Sequence, residues 1–253
     1  MVGTNLPRTL PDRVPTLSPR HTPMGGGLGD PGIHIADGSA TPWAWRLSLS
    51  EPRSPSSADS EPIPVAFFGR NTKVVARDLL GCRLRSTRDG MEVEGVIVET
   101  EAYVGPHDPA SHAAVRIGRT LRNRSMYGPP GHAYVYRSYG IHWCLNVVTE
   151  PEGFPSAVLV RALDPLLGLE TMRERRGGTL PLCAGPGRLT EALGVTGELD
   201  GHALSNEPLK LLEGWRVAPS SVGVSGRIGV RQASDWPLRF YLRGHPEVSR
   251  SPR

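Results

Sequence analysis

The run MEVEGVIVETEAY, residues 91–103, is the stretch that decides the expected fold. The run CRLRST, residues 82–87, lies just before it, and the pair Asp89-Gly90 separates the two. A DG pair between alternating runs is a strong signal for a β-hairpin. We therefore predict two antiparallel strands, of which the second is long enough to cross the centre of a sheet.

The rest of the chain extends this pattern with short strands and few helices. We predict strands at 132–137, 142–148, 157–163, 208–212, 226–231 and 238–243, and helices at 72–80, 168–176 and 187–194. Helices do not alternate regularly with strands, which argues against a doubly wound parallel sheet. The prediction is a single α+β domain over residues 63–253, built on a curved antiparallel β-sheet with a few short helices and a protruding β-hairpin.

Residues 1–62 differ from the remainder in composition. They contain ten prolines, a GGGLG run and the sequence SPSSADSEP, and they show no apolar periodicity. Such a segment cannot bury enough apolar surface to offset the entropy lost on ordering. We predict a disordered Pro/Gly/Ser-rich extension.

Bulk composition excludes several classes of protein. No apolar run reaches the length of a membrane-spanning helix, and the N-terminus has no secretory apolar core. Three dispersed cysteines without a CxxC pair argue against a disulfide framework or a zinc finger. We expect a cytoplasmic protein, nucleoid-associated if prokaryotic, that is a monomer and does not bind membranes.

The long strand leads directly into polar residues, in ETEAYVGPHDPASH, residues 99–112. Because side chains alternate along a strand, Glu99, Glu101 and Tyr103 share a face. A loop rich in Gly and Pro follows and ends at His112. This pattern is typical of a functional site on a rigid scaffold. A strand that only emerges into solvent gives the same pattern, so both interpretations stay open.

The next segment combines positive charge with aromatic residues. RIGRTLRNRSMYGPPGH, residues 116–132, contains four arginines, and AYVYRSYGIHWCLNVV, residues 133–148, follows it. Five of the six tyrosines lie between positions 103 and 139. Arginine matches phosphate oxygens and aromatic faces stack on bases, which favours a nucleic-acid partner, as does the net charge of +4. A tyrosine-rich protein interface is the competing interpretation, and arginine-rich composition also follows from codon bias.

These segments, with VLVRALDPLLGLETMRERR (158–176), LCAGPGRL (182–189) and PLRFYLRG (237–244), resemble the 3-methyladenine (alkyladenine) DNA glycosylase family. The motifs match in order over roughly residues 65–246. The resemblance implies base-excision repair of double-stranded DNA without a cofactor. The enzyme would flip a damaged purine (3-methyladenine, 7-methylguanine, hypoxanthine or ethenoadenine) out of the duplex and hydrolyse its N-glycosidic bond, leaving an abasic site.

The same resemblance assigns roles to individual residues. Glu101 would be the general base that activates water, and Arg161 would help to position that water. The residues that would form the base pocket are Tyr103, His112, Tyr136, Asn146 and Ile228. Asn146 would clash with the 2-amino group of guanine, and the carbonyl of Ile228 would contact the water. Tyr139 would be the wedge that fills the gap left in the base stack. The contacts to the DNA backbone would come from Arg122, Arg124 and Met126. For Met126, help to the wedge and a plain packing role are both open.

Further residues bear on the reaction type. The only lysines, Lys73 and Lys210, lie outside the motifs, which argues against a Schiff-base lyase and for a monofunctional glycosylase. The HxE…PCxxC signature of zinc deaminases is absent from the sequence. His107 and His112 have no evident third ligand, so we predict no metal site. Glu99 is interpreted as a structural partner in preference to a second catalytic acid, and AGPGRL as either a phosphate site or a plain tight turn.

One rival function comes from a different class. A basic nucleic-acid-binding module without catalysis would also use arginines and stacking tyrosines. Glu101 discriminates between the two, because a carboxylate in the path of an anionic ligand repels it and gives a pure binder no benefit.

Overall fold

The computed structural model of the chain describes residues 61–249 and the backbone of Leu49–Pro52. Nearly all of the predicted N-terminal extension therefore lies outside the described residues, and its disorder stays a prediction. In residues 61–249 and the short strand before them, no helix is long and apolar enough to cross a membrane.

The described residues form short helices and a larger number of strands. In chain order the elements are β1 (Leu49–Pro52), α1 (Val65–Phe68), α2 (Thr72–Asp78), β2 (Arg83–Ser86), β3 (Val93–Tyr103), β4 (Ala133–Ser138), β5 (His142–Val148), β6 (Ala157–Leu167), α3 (Leu169–Arg175), α4 (Pro186–Leu193), β7 (Leu209–Leu212), β8 (Trp215–Val217), β9 (Val222–Ser225) and β10 (Arg239–Leu242). The predicted α+β class is confirmed.

Strand β3 is the centre of the main antiparallel sheet, whose order is β4-β5-β6-β3-β10-β9. On one side β3 pairs with β6 from Glu94 to Tyr103. On the other side it pairs with β2 near its start and with β10 near its end, and β7 adds to β2. The predicted β2–β3 hairpin is confirmed, and its turn places Asp89 at a φ of 58°.

Ten consecutive residues of β3, from Val93 to Ala102, are buried. The apolar ones, such as Ile97 and Val98, belong to the main hydrophobic core, together with residues of α2 and α4. The chain also buries three glutamates of β3, and a buried carboxylate needs partners to offset its lost hydration. Glu94 obtains them from Arg83 and Arg85, at 2.8 and 2.6 Å.

Helix α2 begins as the sequence predicts. The side chain of Asn71 accepts a hydrogen bond from the Lys73 N–H, which satisfies one free donor of the first turn. Thr72 is fully buried and gives its N–H and its hydroxyl to the carboxylate of Glu150, at 3.1 and 2.7 Å. These contacts fix the helix to the end of β5, and the chain leaves it through Gly81 at a φ of 85°.

The predicted strand at 226–231 is wrong. Strand β9 ends at Ser225, and residues 226–231 form a loop without regular structure. Two glycines explain the break: a Cβ on Gly226 would lie 2.0 Å from the carbonyl oxygen of Ser234, and Gly229 has a φ of 76°. This loop carries Ile228 to the end of β3, where its N–H meets Glu101.

The close approach of β3 to β6 generates a stability prediction. A Cβ on Gly95 would lie 2.9 Å from the Cβ of Leu163, which is fully buried. We expect Gly95→Ala to lower the free energy of unfolding by about 1–3 kcal/mol, because a packed core resists added volume. Urea denaturation checks this. The control is Gly69→Ala, whose new Cβ would be 3.9 Å from its nearest neighbour and should leave stability nearly unchanged. Equal effects of the two substitutions would contradict the packing argument.

Candidate active site

Glu101 lies at the end of β3 with no exposed surface. Its carboxylate accepts a hydrogen bond from the Ile228 N–H at 2.7 Å and one from the Tyr103 hydroxyl at 3.1 Å. The Arg161 guanidinium, from β6, lies 3.2 Å from the same carboxylate. The hydrogen bond to Tyr103 agrees with the prediction that Glu101 and Tyr103 share a face of the strand.

The surroundings of Glu101 raise its pKa above the ordinary carboxyl value. Burial is the largest cause, because it penalises the charged form, and the charge of Glu99 acts in the same direction. Arg161, the Ile228 N–H and the Tyr103 hydroxyl oppose this effect. A carboxylate of raised pKa binds protons more strongly, which suits a general base.

Glu99 is also fully buried, and both of its carboxylate oxygens are occupied by hydrogen bonds within the protein. It accepts hydrogen bonds from Arg161 Nε at 3.0 Å and Arg239 Nε at 2.6 Å. The N–H and hydroxyl of Ser249 donate to it as well, each at 2.7 Å. These contacts favour the structural interpretation of Glu99 over that of a second acid.

Arg161 reaches both glutamates because the β3–β6 register shifts beside it. Glu99 pairs with Ala162 and Thr100 pairs with Val160, so Arg161 has no cross-strand partner of its own. Such an irregularity re-aims a side chain. Here it lets one guanidinium contact Glu99 through Nε and Glu101 through a terminal nitrogen.

A cavity of about 930 Å³ adjoins this group of charges. All of the predicted site residues except Glu101 and Arg124 line it. Glu101 lies behind three of the lining residues, to which it is bonded: Tyr103, Arg161 and Ile228. Residues from distant parts of the sequence are therefore brought to one place.

One wall of the cavity is aromatic. His112 Nδ1 lies 2.9 Å from the Tyr134 hydroxyl, and the His112 ring meets Tyr136 edge-on with centroids 4.4 Å apart. Tyr134 and Tyr136 stack at 5.3 Å. Burial, with the nearby charge of Arg122, lowers the pKa of His112, which favours the neutral imidazole. Tyr134 was not assigned to the pocket from the sequence, although it lies in the quoted tyrosine cluster.

Tyr103 is held from behind by a buried ion pair that the sequence did not reveal. The Arg227 guanidinium lies 4.7 Å from the centre of the Tyr103 ring and donates to the Ala102 carbonyl at 3.1 Å. It also pairs with Asp108 through two bonds, at 2.5 and 2.8 Å, and neither side chain is exposed. This pair joins the loop after β3 to the loop after β9.

Asn146 lies on β5 and is nearly buried, with a small part of its surface on the cavity. Its side-chain amide donates to the backbone carbonyl of Tyr134 at 3.0 Å. The hydrogen bond fixes the orientation of the amide, so that the residue presents a rigid polar surface to any occupant of the cavity.

The hairpin β4–β5 carries Tyr139 at its tip, where 88% of the residue surface is exposed. Its φ is 50°, in the left-handed region, which costs a non-glycine residue about 1–2 kcal/mol. The turn is closed by a hydrogen bond from the Ile141 N–H to the Ser138 carbonyl at 3.0 Å, and Ile141 is 65% exposed. A large aromatic side chain is thus held in solvent beside the cavity.

The three residues predicted to contact a DNA backbone differ in position. Arg122 is exposed, donates to the Arg137 carbonyl at 2.8 Å and lies over the Tyr136 ring. Arg124 is exposed but lies outside the cavity lining. Met126 is only 2% exposed and packs in an apolar cluster that includes Tyr134. Its side chain packs into the pocket wall, and its contact with DNA stays a prediction.

Asn123, which the sequence analysis did not select, organises the basic loop. Its amide donates to the carbonyls of His112 and Gly118, at 2.9 and 2.8 Å, and its side-chain oxygen accepts from the Thr120 N–H at 2.6 Å. The residue is buried, so the loop is fixed from inside while its arginines face outward. The signal in the sequence for this structural role was an uncharged asparagine between two arginines of the basic loop.

Two other chemistries find no support in the described part of the chain. Within residues 61–249, no group of three or more His, Cys, Asp or Glu side chains could hold a metal ion. Cys144 lines the cavity, but burial raises the pKa of its thiol, which disfavours the nucleophilic thiolate.

The AGPGRL segment forms a close turn at the start of α4. A Cβ on Gly187 would lie 2.9 Å from the His142 side chain, so the glycine is needed for packing against β5. Arg188 donates to the Ala184 carbonyl at 3.1 Å. These packing and hydrogen-bond contacts are those of a tight turn before a helix.

Comparison with known proteins agrees with this geometry. The profile of the methylpurine-DNA glycosylase (MPG) family matches residues 66–246. A protein from Methanoculleus marisnigri is 49% identical over 193 residues, covering 74% of this chain and 98% of the relative. Relatives from Agrobacterium fabrum (49% identity, 76% of this chain and 94% of the relative) and Carboxydothermus hydrogenoformans (44%, 74% and 98%) are similar. Each bears the name 3-methyladenine DNA glycosylase, marked as provisional.

The matched segment contains β3 with Glu99 and Glu101, the aromatic wall and the exposed hairpin. It covers well over half of the chain and nearly the whole length of the relatives. The chain therefore belongs to the methylpurine-DNA glycosylase family.

Proposed function

We propose that the chain is a monofunctional DNA glycosylase that flips a damaged purine out of duplex DNA and hydrolyses its N-glycosidic bond. The substrates would be the alkylated or deaminated purines 3-methyladenine, 7-methylguanine, hypoxanthine and ethenoadenine. The observation that carries the proposal is a buried carboxylate, Glu101, directly behind an aromatic cavity that lies beside an exposed tyrosine.

Base flipping needs stacking energy to replace what the duplex loses. Extruding a base costs a few kcal/mol, and an aromatic side chain returns about 1–3 kcal/mol per stacked base. The Tyr136 and Tyr103 rings supply flat surfaces at the cavity, and Tyr139, 88% exposed, is already presented to solvent at its edge. Tyr139 would therefore enter the gap in the stack while the base enters the cavity.

Bond cleavage develops positive charge on the sugar, as in other glycoside hydrolyses. A carboxylate at this position stabilises that charge and accepts a proton from the attacking water. Tyr103, Arg161 and Ile228 fix the Glu101 carboxylate, so that little reorganisation is needed during the reaction. We assign Glu101 as the general base and Arg161 as the residue that helps to position the water.

Lesion selectivity would come from the walls of the cavity. An alkylated purine is cationic and gains from an electron-rich tyrosine face. The fixed amide of Asn146 would exclude the 2-amino group of guanine, since its hydrogen bond to Tyr134 prevents it from turning aside. The lowered pKa of His112 favours the neutral imidazole, which is a poor proton donor. His112 would therefore donate a hydrogen bond to the base and would not act as a general acid.

The general-base role gives a direct prediction for Glu101→Gln. We expect the single-turnover rate of base release to fall by at least about 10²–10⁴-fold, the usual contribution of a positioned base. Binding to lesion-containing duplex should be kept or become tighter, because a negative charge is removed. The assay uses duplexes that carry one hypoxanthine, ethenoadenine or 3-methyladenine. Strand cleavage should appear only after alkali treatment if the enzyme has no lyase activity.

The matched control is Glu94→Gln, the same substitution on the same strand at a buried carboxylate far from the cavity lining. Its rate per folded molecule should equal that of the wild type. Parallel loss of binding and release in Glu101→Gln would count against the assignment. No release from any lesion by the wild type, with salt-sensitive binding retained, would instead favour the non-catalytic binding module.

The wedge role of Tyr139 gives a second prediction. Tyr139→Ala should slow excision from duplex DNA by about five- to 150-fold, which corresponds to the loss of about 1–3 kcal/mol of stacking. Excision from a single-stranded oligonucleotide should change little, because no gap in a duplex has to be filled. Single-turnover rates on the two substrates check this. Equal rates for wild type and variant on duplex DNA would mean that Tyr139 is not the wedge.

A further inference from the structure

Glu99 and Glu101 share the guanidinium of Arg161, but Glu99 has a second arginine partner and Glu101 has only neutral donors besides. Glu99 receives Arg161, Arg239 and two donors of Ser249, whereas Glu101 receives a terminal nitrogen of Arg161 besides two neutral donors. Arg161 is 6% exposed and Arg239 is 3% exposed, so these contacts are shielded from water. Two arginines therefore balance two carboxylates in one buried group.

We propose that Glu99, held by Arg239 and Ser249, is a positioning residue that fixes Arg161 between the two carboxylates and limits how much positive charge acts on Glu101. This inference rests on the proposed function, because it concerns how Glu101 is kept basic. Without the Nε contact to Glu99, the Arg161 guanidinium would be free to turn fully toward Glu101.

The C-terminal segment completes this arrangement. Ser249 lies beyond residues 66–246, the part that matches the family profile. Its N–H and hydroxyl bond to Glu99, its carbonyl accepts from Arg239 at 2.7 Å, and its hydroxyl lies 3.4 Å from an Arg161 nitrogen. One serine thus contacts Glu99, Arg239 and Arg161, and we assign it as a second positioning residue.

The charges around Glu101 give the direction of the expected effect. From β3 it faces Glu99 and the Tyr103 hydroxyl, from β6 Arg161, and from the loop after β9 the Ile228 N–H. Arg239 of β10 is opposite Glu101 in register, but its side chain bonds to Glu99. Loss of the Glu99 charge would leave two arginines facing one carboxylate, which lowers the pKa of Glu101.

The experiment measures single-turnover base release against pH, on the lesion that the wild type releases fastest. Glu99→Gln should shift the midpoint of the acidic limb to lower pH, since a weaker base is ionised earlier. It should also lower the plateau rate by about ten- to hundredfold, because Arg161 loses its anchor. Glu94→Gln, an equally buried carboxylate of β3 with two arginine partners, should change neither the midpoint nor the rate per folded molecule.

Ser249 supplies a test that does not depend on the folding of Glu99→Gln. Ser249→Ala should lower the plateau rate by about three- to tenfold without weakening DNA binding, and Ser249→Thr, which keeps the hydroxyl, should restore the rate. Equal plateau rates for the wild type, Ser249→Ala and Ser249→Thr would overturn the proposal, as would an unshifted midpoint in Glu99→Gln.

The wild type and Glu101→Gln separate this inference from the proposed function. Release by the wild type that depends on Glu101, with no effect of Glu99 or Ser249, overturns only the positioning role. Absence of release by the wild type overturns the proposed function and, with it, the role assigned to Glu99.

Discussion

The structure depends on one guanidinium, that of Arg161, which lies between two fully buried carboxylates. Glu99 is also paired with Arg239, but the charged partner that Glu101 contacts is Arg161, and an unpaired carboxylate there would cost several kcal/mol. The shared contact requires β6 to run beside β3 with a shifted register. It also draws the loop after β9 and the C-terminal segment to the same end of the sheet, through Ile228 and Ser249. The fold and the site therefore have a common origin in the central strand.

The segments around this centre that would contact DNA differ in how firmly the protein holds their side chains. The pocket wall is held by buried contacts, among them the Asp108–Arg227 pair behind Tyr103 and the bonds of Asn123 inside the basic loop. Tyr139, in contrast, is exposed at a hairpin tip with only its backbone turn fixed. Rigid walls suit the recognition of one base, and an exposed side chain suits insertion between bases. This division follows from where each segment leaves the sheet.

Features that depend on local sequence patterns could be predicted, whereas contacts between residues far apart in the sequence could not. The β2–β3 hairpin, the start of α2 at Thr72 and the shared face of Glu101 and Tyr103 follow from residues close in sequence. The Arg227 partner of Asp108 and the Ser249 contact to Glu99 lie more than a hundred residues away, and single-sequence patterns carry no information about such pairs. The loop at 226–231 was mistaken for a strand because its alternation outweighed two glycines. Met126 was assigned to the DNA contacts, and the burial of its side chain against the pocket wall could not be read from the arginines around it in the sequence.

The central claim is that Glu101 is a buried base with raised proton affinity. Its most direct test is a ¹³C NMR titration of the glutamate side-chain carboxyls in the folded protein, with the Glu101 signal assigned by its absence in Glu101→Gln. We predict that Glu101 titrates above the ordinary carboxyl value of 4.5, because burial and Glu99 outweigh Arg161 and the two neutral donors. Titration at or below that value would mean that the arginine dominates, and it would contradict the account of Glu101 as a base kept reactive by its surroundings.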